Sequence, residues 1–85
     1  MPTFRVSVTA HFRLPPHGIH SALEALPGAR FDRARGDLIY RDTVEVDDES
    51  VAIRIVTGRV RHALREAGVP STDYTVDAWG WPVQS

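Results

Sequence analysis

His11, Arg41 and Asp77 are the residues whose types would make a reaction centre if the fold brought them together. An imidazole titrates near neutral pH and serves as base or acid, a guanidinium clamps an anion, and a carboxylate orients the imidazole or supplies the acid. An enzymatic reading of the chain would rest on that trio. His17 and His20 lie three positions apart with Glu24 one helical turn beyond, and all three are metal ligands by type. The run Pro15-Pro16-His17-Gly18 leaves the direction of His17 undefined, so the expectation is surface histidines and no metal. The chain has no phosphate-binding loop, dinucleotide fingerprint, nucleophile elbow or paired-histidine zinc motif. It contains no cysteine, which removes thiolate nucleophiles, disulfides and cysteine-containing metal sites. No catalytic residue and no cofactor is assigned on this basis.

Residue types suited to binding are more prominent. Trp79 and Trp81 alternate with small or polar residues near the C-terminus, where a strand would send both rings to one face. Tryptophan carries a large apolar area and marks interfaces when it faces solvent. Every Lys/Arg position is arginine, ten in all, and arginine's planar fork suits carboxylates, phosphates and aromatic faces; the plain alternative is the coding bias of an arginine-rich proteome. Arg13, Arg33, Arg35, Arg61, His62 and Arg65 are expected to gather at one pole, and Glu45, Asp47, Asp48 and Glu49 at the other. A helix that carries acids at its start and bases at its end explains part of that separation through its own dipole. The hairpin arginines fall outside that explanation and suit an anion or an acidic partner.

These residues must be positioned by six elements. Phe4, Val6, Val8, Ala10 and Phe12 alternate with polar residues, which predicts a half-buried strand ended by Pro15-Pro16. Ile19, Ala22, Leu23 and Leu26 recur at helical spacing up to Pro27-Gly28. Residues 29–33 form a weak strand, Ala34-Arg35-Gly36-Asp37 a turn, and residues 38–46 a third strand. In that strand Leu38, Tyr40, Val44 and Val46 share a face that Asp42 interrupts, so a bulge or a specific partner is expected there. Asp47-Asp48-Glu49-Ser50 caps a second helix, whose stripe Ala52, Val56, Val60, Ala63, Leu64 and Ala67 ends at Gly68-Val69-Pro70. Gly58 inside it calls for close packing or is an exposed accident. A last strand covers residues 73–81.

The order β-α-β-β-α-β predicts an α+β, ferredoxin-like sandwich of four antiparallel strands in the order 4-1-3-2, with two helices on one face. Phe4, Val6, Val8, Phe12, Leu23, Phe31, Tyr40, Val44, Val56, Val60, Leu64 and Val76 are its expected core. Arg5, His11, Arg41, Asp77, Trp79 and Trp81 then fall on the face without helices, with Arg41 and Asp77 a candidate cross-strand pair. That fold hosts many unrelated activities, so function must be argued from the site.

Eighty-five residues make one small domain with a thin core, to which an added interface matters. No window offers the ~20 apolar residues of a membrane span, and the first residues lack a signal-peptide core, which leads to a cytoplasmic expectation. A formal charge of -1 argues against nucleic acid, as do central strands that put Arg5, Ser7, Thr9, Arg41 and Thr43 where stacking aromatics would stand and turn their phenylalanines to the core. The reading is therefore a non-catalytic interaction or regulatory module that pairs with itself or with a small acidic protein. The alternatives are a nucleic-acid-binding domain, or an enzyme built on His11, Arg41 and Asp77.

Overall fold

In the computed structural model, which describes residues 1–14 and 16–83, the chain runs β1 (Thr3–Phe12), α1 (Ile19–Ala25), β2 (Arg30–Asp32), β3 (Asp37–Glu45), α2 (Glu49–Glu66), a 3-10 turn (Ser71–Asp73) and β4 (Tyr74–Pro82). The four strands form one antiparallel sheet in the order β2-β3-β1-β4, which is the expected order read from the other edge. Both helices pack on one face, so this is a ferredoxin-like α+β sandwich.

Alternation in β1 does most of the positioning. Val6, Val8, Ala10 and Phe12 are buried beneath Val56, Val60 and Leu64 of α2. Of the expected core, Phe4, Leu23, Phe31, Val44 and Val76 are only partly buried and pack around its margin. Small residues (Ala10, Ala22, Ala52 and Ala63) and Leu38 are buried among the valines and Leu64 instead. The alanines let the helices lie close to the sheet. Gly18 lets the two helices meet, because a Cβ there would come within 2.2 Å of the Ala67 carbonyl oxygen. This close approach joins the start of α1 to the end of α2, and it holds a seven-residue helix too short to persist alone.

Both ends of α2 follow the sequence reading. The Asp48 side chain accepts from the Ser50 amide at 3.0 Å. At the other end the Val69 and Gly68 amides donate to Leu64 and Arg65, which closes the Schellman pattern. Gly58 is exposed, and a Cβ there would have no neighbour within 4 Å. Close packing therefore does not explain it. Gly58→Ala is expected to stabilise the fold by about 0.5–1 kcal/mol, because alanine loses less backbone entropy in a helix. Thermal melts would show this as a rise of about 4 °C.

Asp42 is not bulged out, since the β1–β3 register continues unbroken from Thr3↔Glu45 to His11↔Asp37. It is partnered instead. Its carboxylate accepts from the Tyr40 hydroxyl at 3.0 Å, from the Thr43 amide at 2.8 Å and from Arg59 of α2. Burial, and then the bond to Asp42, pushes the Tyr40 phenol above its ordinary pKa.

Candidate functional site on the open sheet face

The face without helices is built from odd-numbered residues, and the register sets them in rows across the sheet. Thr43, Arg5 and Trp81 form one row, Arg41, Ser7 and Trp79 the next, then Ile39, Thr9 and Asp77, and finally Asp37, His11 and Thr75. Trp79 is 51% exposed and Trp81 38%. Ser7, on the central strand between Arg41 and Trp79, is only 1% exposed. The face holds a shallow cavity of about 360 Å³ with Ser7 and Thr9 in its lining, bordered by His11, Arg41, Asp77 and Trp79 and reached by Arg35 from the β2–β3 turn.

His11 is the most constrained group of this face. Its Nδ1 lies 2.7 Å from Asp37 Oδ1 and its Nε2 2.9 Å from Asp77 Oδ2. An imidazole with a carboxylate at each nitrogen donates both bonds only when it is protonated. The bond to Asp37, followed by that to Asp77, accordingly raises the His11 pKa above its ordinary 6.5. With both nitrogens bonded within the chain, neither is free to exchange a proton with a substrate. The two carboxylates sit on opposite sides of the ring, so they do not converge on a common ion. Among the described residues no group of three His, Asp or Glu side chains is arranged to hold a metal.

Asp77 and Arg41 do not pair. Strands β3 and β4 both flank β1, so the two residues are separated by a whole strand, and Asp77 turns to His11 instead. Among the described residues Arg5, Arg35 and Arg41 have no ion-pair partner. The expected interface set of Arg5, His11, Arg41, Asp77, Trp79 and Trp81 thus shares one face, divided into an arginine–tryptophan half and a His–Asp half.

Of the residues expected at the basic pole, Arg13, Arg33, Arg35, Arg61 and Arg65 lie near the Phe12 end of the sheet. There Phe12 makes a T-shaped contact with Phe31 at 6.2 Å and packs on Tyr74 at 5.4 Å between ring centroids. Arg33 and Arg35 are exposed on the adjoining turn, and Arg61 and Arg65 line a small hollow beside Tyr74. Arg13, Leu14, Pro16, His17 and Gly18 line one side of a cavity of about 500 Å³, and residues 67–70 with Thr72 and Asp73 line the other. His17 and His20 are exposed.

Three features escaped the sequence reading: Asp37 as the inner partner of His11, the buried position of Ser7, and the Asp42–Arg59 pair. Asp37 was legible in principle, since carrying the alternation of Ile39 and Arg41 back one step puts it on the same face. The other two depend on neighbours from separate elements.

No family model, curated protein or solved structure matches this chain. No helix is long and apolar enough to cross a membrane among the described residues.

Proposed function

We propose that the protein is a small non-catalytic interaction module that engages a protein partner through the open face of its sheet, with the arginine pole favouring an acidic one. The observation that carries this reading is the row pattern of Trp79 and Trp81 with Arg41 and Arg5. It places two exposed indoles beside two guanidiniums that have no ion-pair partner among the described residues. Tryptophan and arginine are the side chains that most often dominate binding energy at protein interfaces. The engagement of both His11 nitrogens argues against an acid–base enzyme on this face. The absence of Phe, Tyr and Trp from β1 and β3 on the open side, where the one ring, His11, is tied to two carboxylates, argues against base stacking, which central-strand aromatics supply in RNA-binding sheets.

Pull-down with the purified protein, read by mass spectrometry and nucleic-acid quantification, tests the proposal. One defined protein partner is expected, lost with Trp79→Ala and weakened by Arg33→Glu/Arg35→Glu while both variants stay folded. Retention of only RNA or DNA, with the steep salt dependence of phosphate contacts, would overturn it. So would a turnover activity abolished by His11→Ala.

A further inference from the structure

The two edges of the sheet are not equivalent, and the difference points to a partner. In an antiparallel ladder the N–H and C=O of one residue point to the same side, and successive residues alternate sides. The Phe12 amide donates to Gly36 and the Val46 amide to Pro2, so even residues of β1 bond to β3. The Val83 amide donates to Thr3, so odd residues of β1 bond to odd residues of β4. The outer edge of β4 therefore presents the main-chain groups of Tyr74, Val76, Ala78, Gly80 and Pro82. The outer edge of β3 presents those of the odd residues, and β2 covers only Asp37 to Ile39.

Beyond Ile39 the β3 edge is guarded. Its central outward amide, Thr43 N–H, is already bonded to the Asp42 carboxylate, which Tyr40 and Arg59 hold in place. Charged Arg41 and Glu45 flank that position, and an anion laid along an edge repels the carbonyls of an incoming strand. This gives Asp42 a reason to interrupt an apolar face. The β4 edge has no such device. Its register with β1 is unbroken over nine residues, and among the described residues no side chain bonds to the amides of Val76, Ala78 or Gly80. A long, regular, uncovered edge is a template for another strand.

We propose that β4 pairs antiparallel with β4 of a second copy, about a two-fold axis through Ala78, to form a continuous eight-stranded sheet. The register follows from parity and charge. An Ala78-centred pair overlaps all of Tyr74–Pro82, brings outward groups to outward groups, and leaves the missing Pro82 donor at the ladder's ends. Centring on Asp77 would oppose two like charges directly. Centring on Trp79 would shorten the overlap and set Pro82 against the Val76 carbonyl inside the ladder. In the Ala78 register, Ala78 exchanges bonds with its symmetry mate and Val76 with Gly80. On the open face Trp79 lies opposite Asp77 and Trp81 opposite Thr75, as non-hydrogen-bonded pairs whose side chains approach closely. The exposed indoles are thereby covered in part by the other copy. The dimer uses the edge of the sheet and is separate from the reading of its face, so each can fail without the other.

Sedimentation from micromolar to millimolar concentration, with amide hydrogen exchange at both extremes, tests this. A dimer is expected in which the amides of Val76, Ala78 and Gly80 become protected as it forms, while those of Asp77 and Trp79 are protected at every concentration. Ala78→Pro removes an outward donor at an edge position, where proline is tolerated. It should leave the circular dichroism unchanged and weaken the dimer about 30-fold, the equivalent of about 2 kcal/mol for the two central bonds. A monomer throughout would overturn the inference. So would a dimer in which those three amides stay as fast as in the monomer. In that case, protection of the Trp79 indole alone would assign the contact to the sheet face and leave the proposed function standing.

Discussion

A Gly36→Ala variant is expected to lose about 2–3 kcal/mol of stability, with a melting temperature lower by about 10 °C or more. Gly36 has φ +72°, in the left-handed region where a side chain is strained. A Cβ there would also approach the Phe12 carbonyl oxygen to 2.7 Å. Neither problem has an easy escape. The Gly36 carbonyl accepts from the Phe12 amide at 2.8 Å and the Gly36 amide donates to Asp32 at 2.8 Å, so the residue is held at both ends. The Asp32 carboxylate closes the rest of the turn by accepting from the Ala34 and Arg35 amides. The turn also sets where β3 begins, and Asp37 is its first residue. Chemical denaturation gives the stability. Proton NMR of the His11 ring adds a second readout, since a displaced Asp37 should lower its pKa. A variant as stable as the parent would show that the turn does not hold this register.

The second large effect concerns pH. The His11 pKa is raised above 6.5 in the folded protein, first by Asp37 and then by Asp77, so the fold prefers the protonated ring. A group whose folded pKa exceeds its unfolded value contributes stability fully below the unfolded value. That contribution declines as pH rises through the folded one. The His11 contribution should therefore be complete below pH 6.5 and vanish above the ring's own midpoint, making the protein less stable on the alkaline side. The two carboxylates should differ. The Asp37 side chain is 12% exposed and that of Asp77 72%, so water screens the second interaction far more. Asp37→Asn is expected to lower the His11 midpoint toward its ordinary value, and Asp77→Asn to lower it less. NMR titration of the ring protons measures both. Equal shifts, or a wild-type midpoint at or below 6.5, would contradict the bridged imidazolium.

The His11 bridge and the arginine–tryptophan rows divide one surface into a self-satisfied half and a half with binding capacity still open. On the first, both ring nitrogens are occupied within the chain. On the second, Arg5 and Arg41 lack ionic partners among the described residues and Trp79 stands in solvent. This contrast directs the search for partners to the second half.

What the sequence determined by itself were the features written in local periodicity. Period-two alternation placed Val6, Val8 and Phe12 inward and Arg5 and His11 outward, whatever their neighbours turned out to be. Asp48 and Gly68 bounded α2 because caps are read within a few residues of one chain segment. Order and spacing of elements then left few right-handed arrangements, and the ferredoxin-like one formed. Only the tertiary structure decided which polar groups meet. Arg41 and Asp77 share a face but lie two strands apart, while His11 reaches across to Asp37 and diagonally to Asp77. Asp42 violates the alternation of β3 and is explained only when α2 brings Arg59 over the sheet edge. Ser7 reads as a solvated residue until β3 and β4 flank it with Arg41 and Trp79 on the central strand, where it is buried. Periodicity fixes the side to which a residue points, because that is a property of its own backbone. What it meets there depends on strands distant in sequence, and the register between them is set by the packing of the whole sheet.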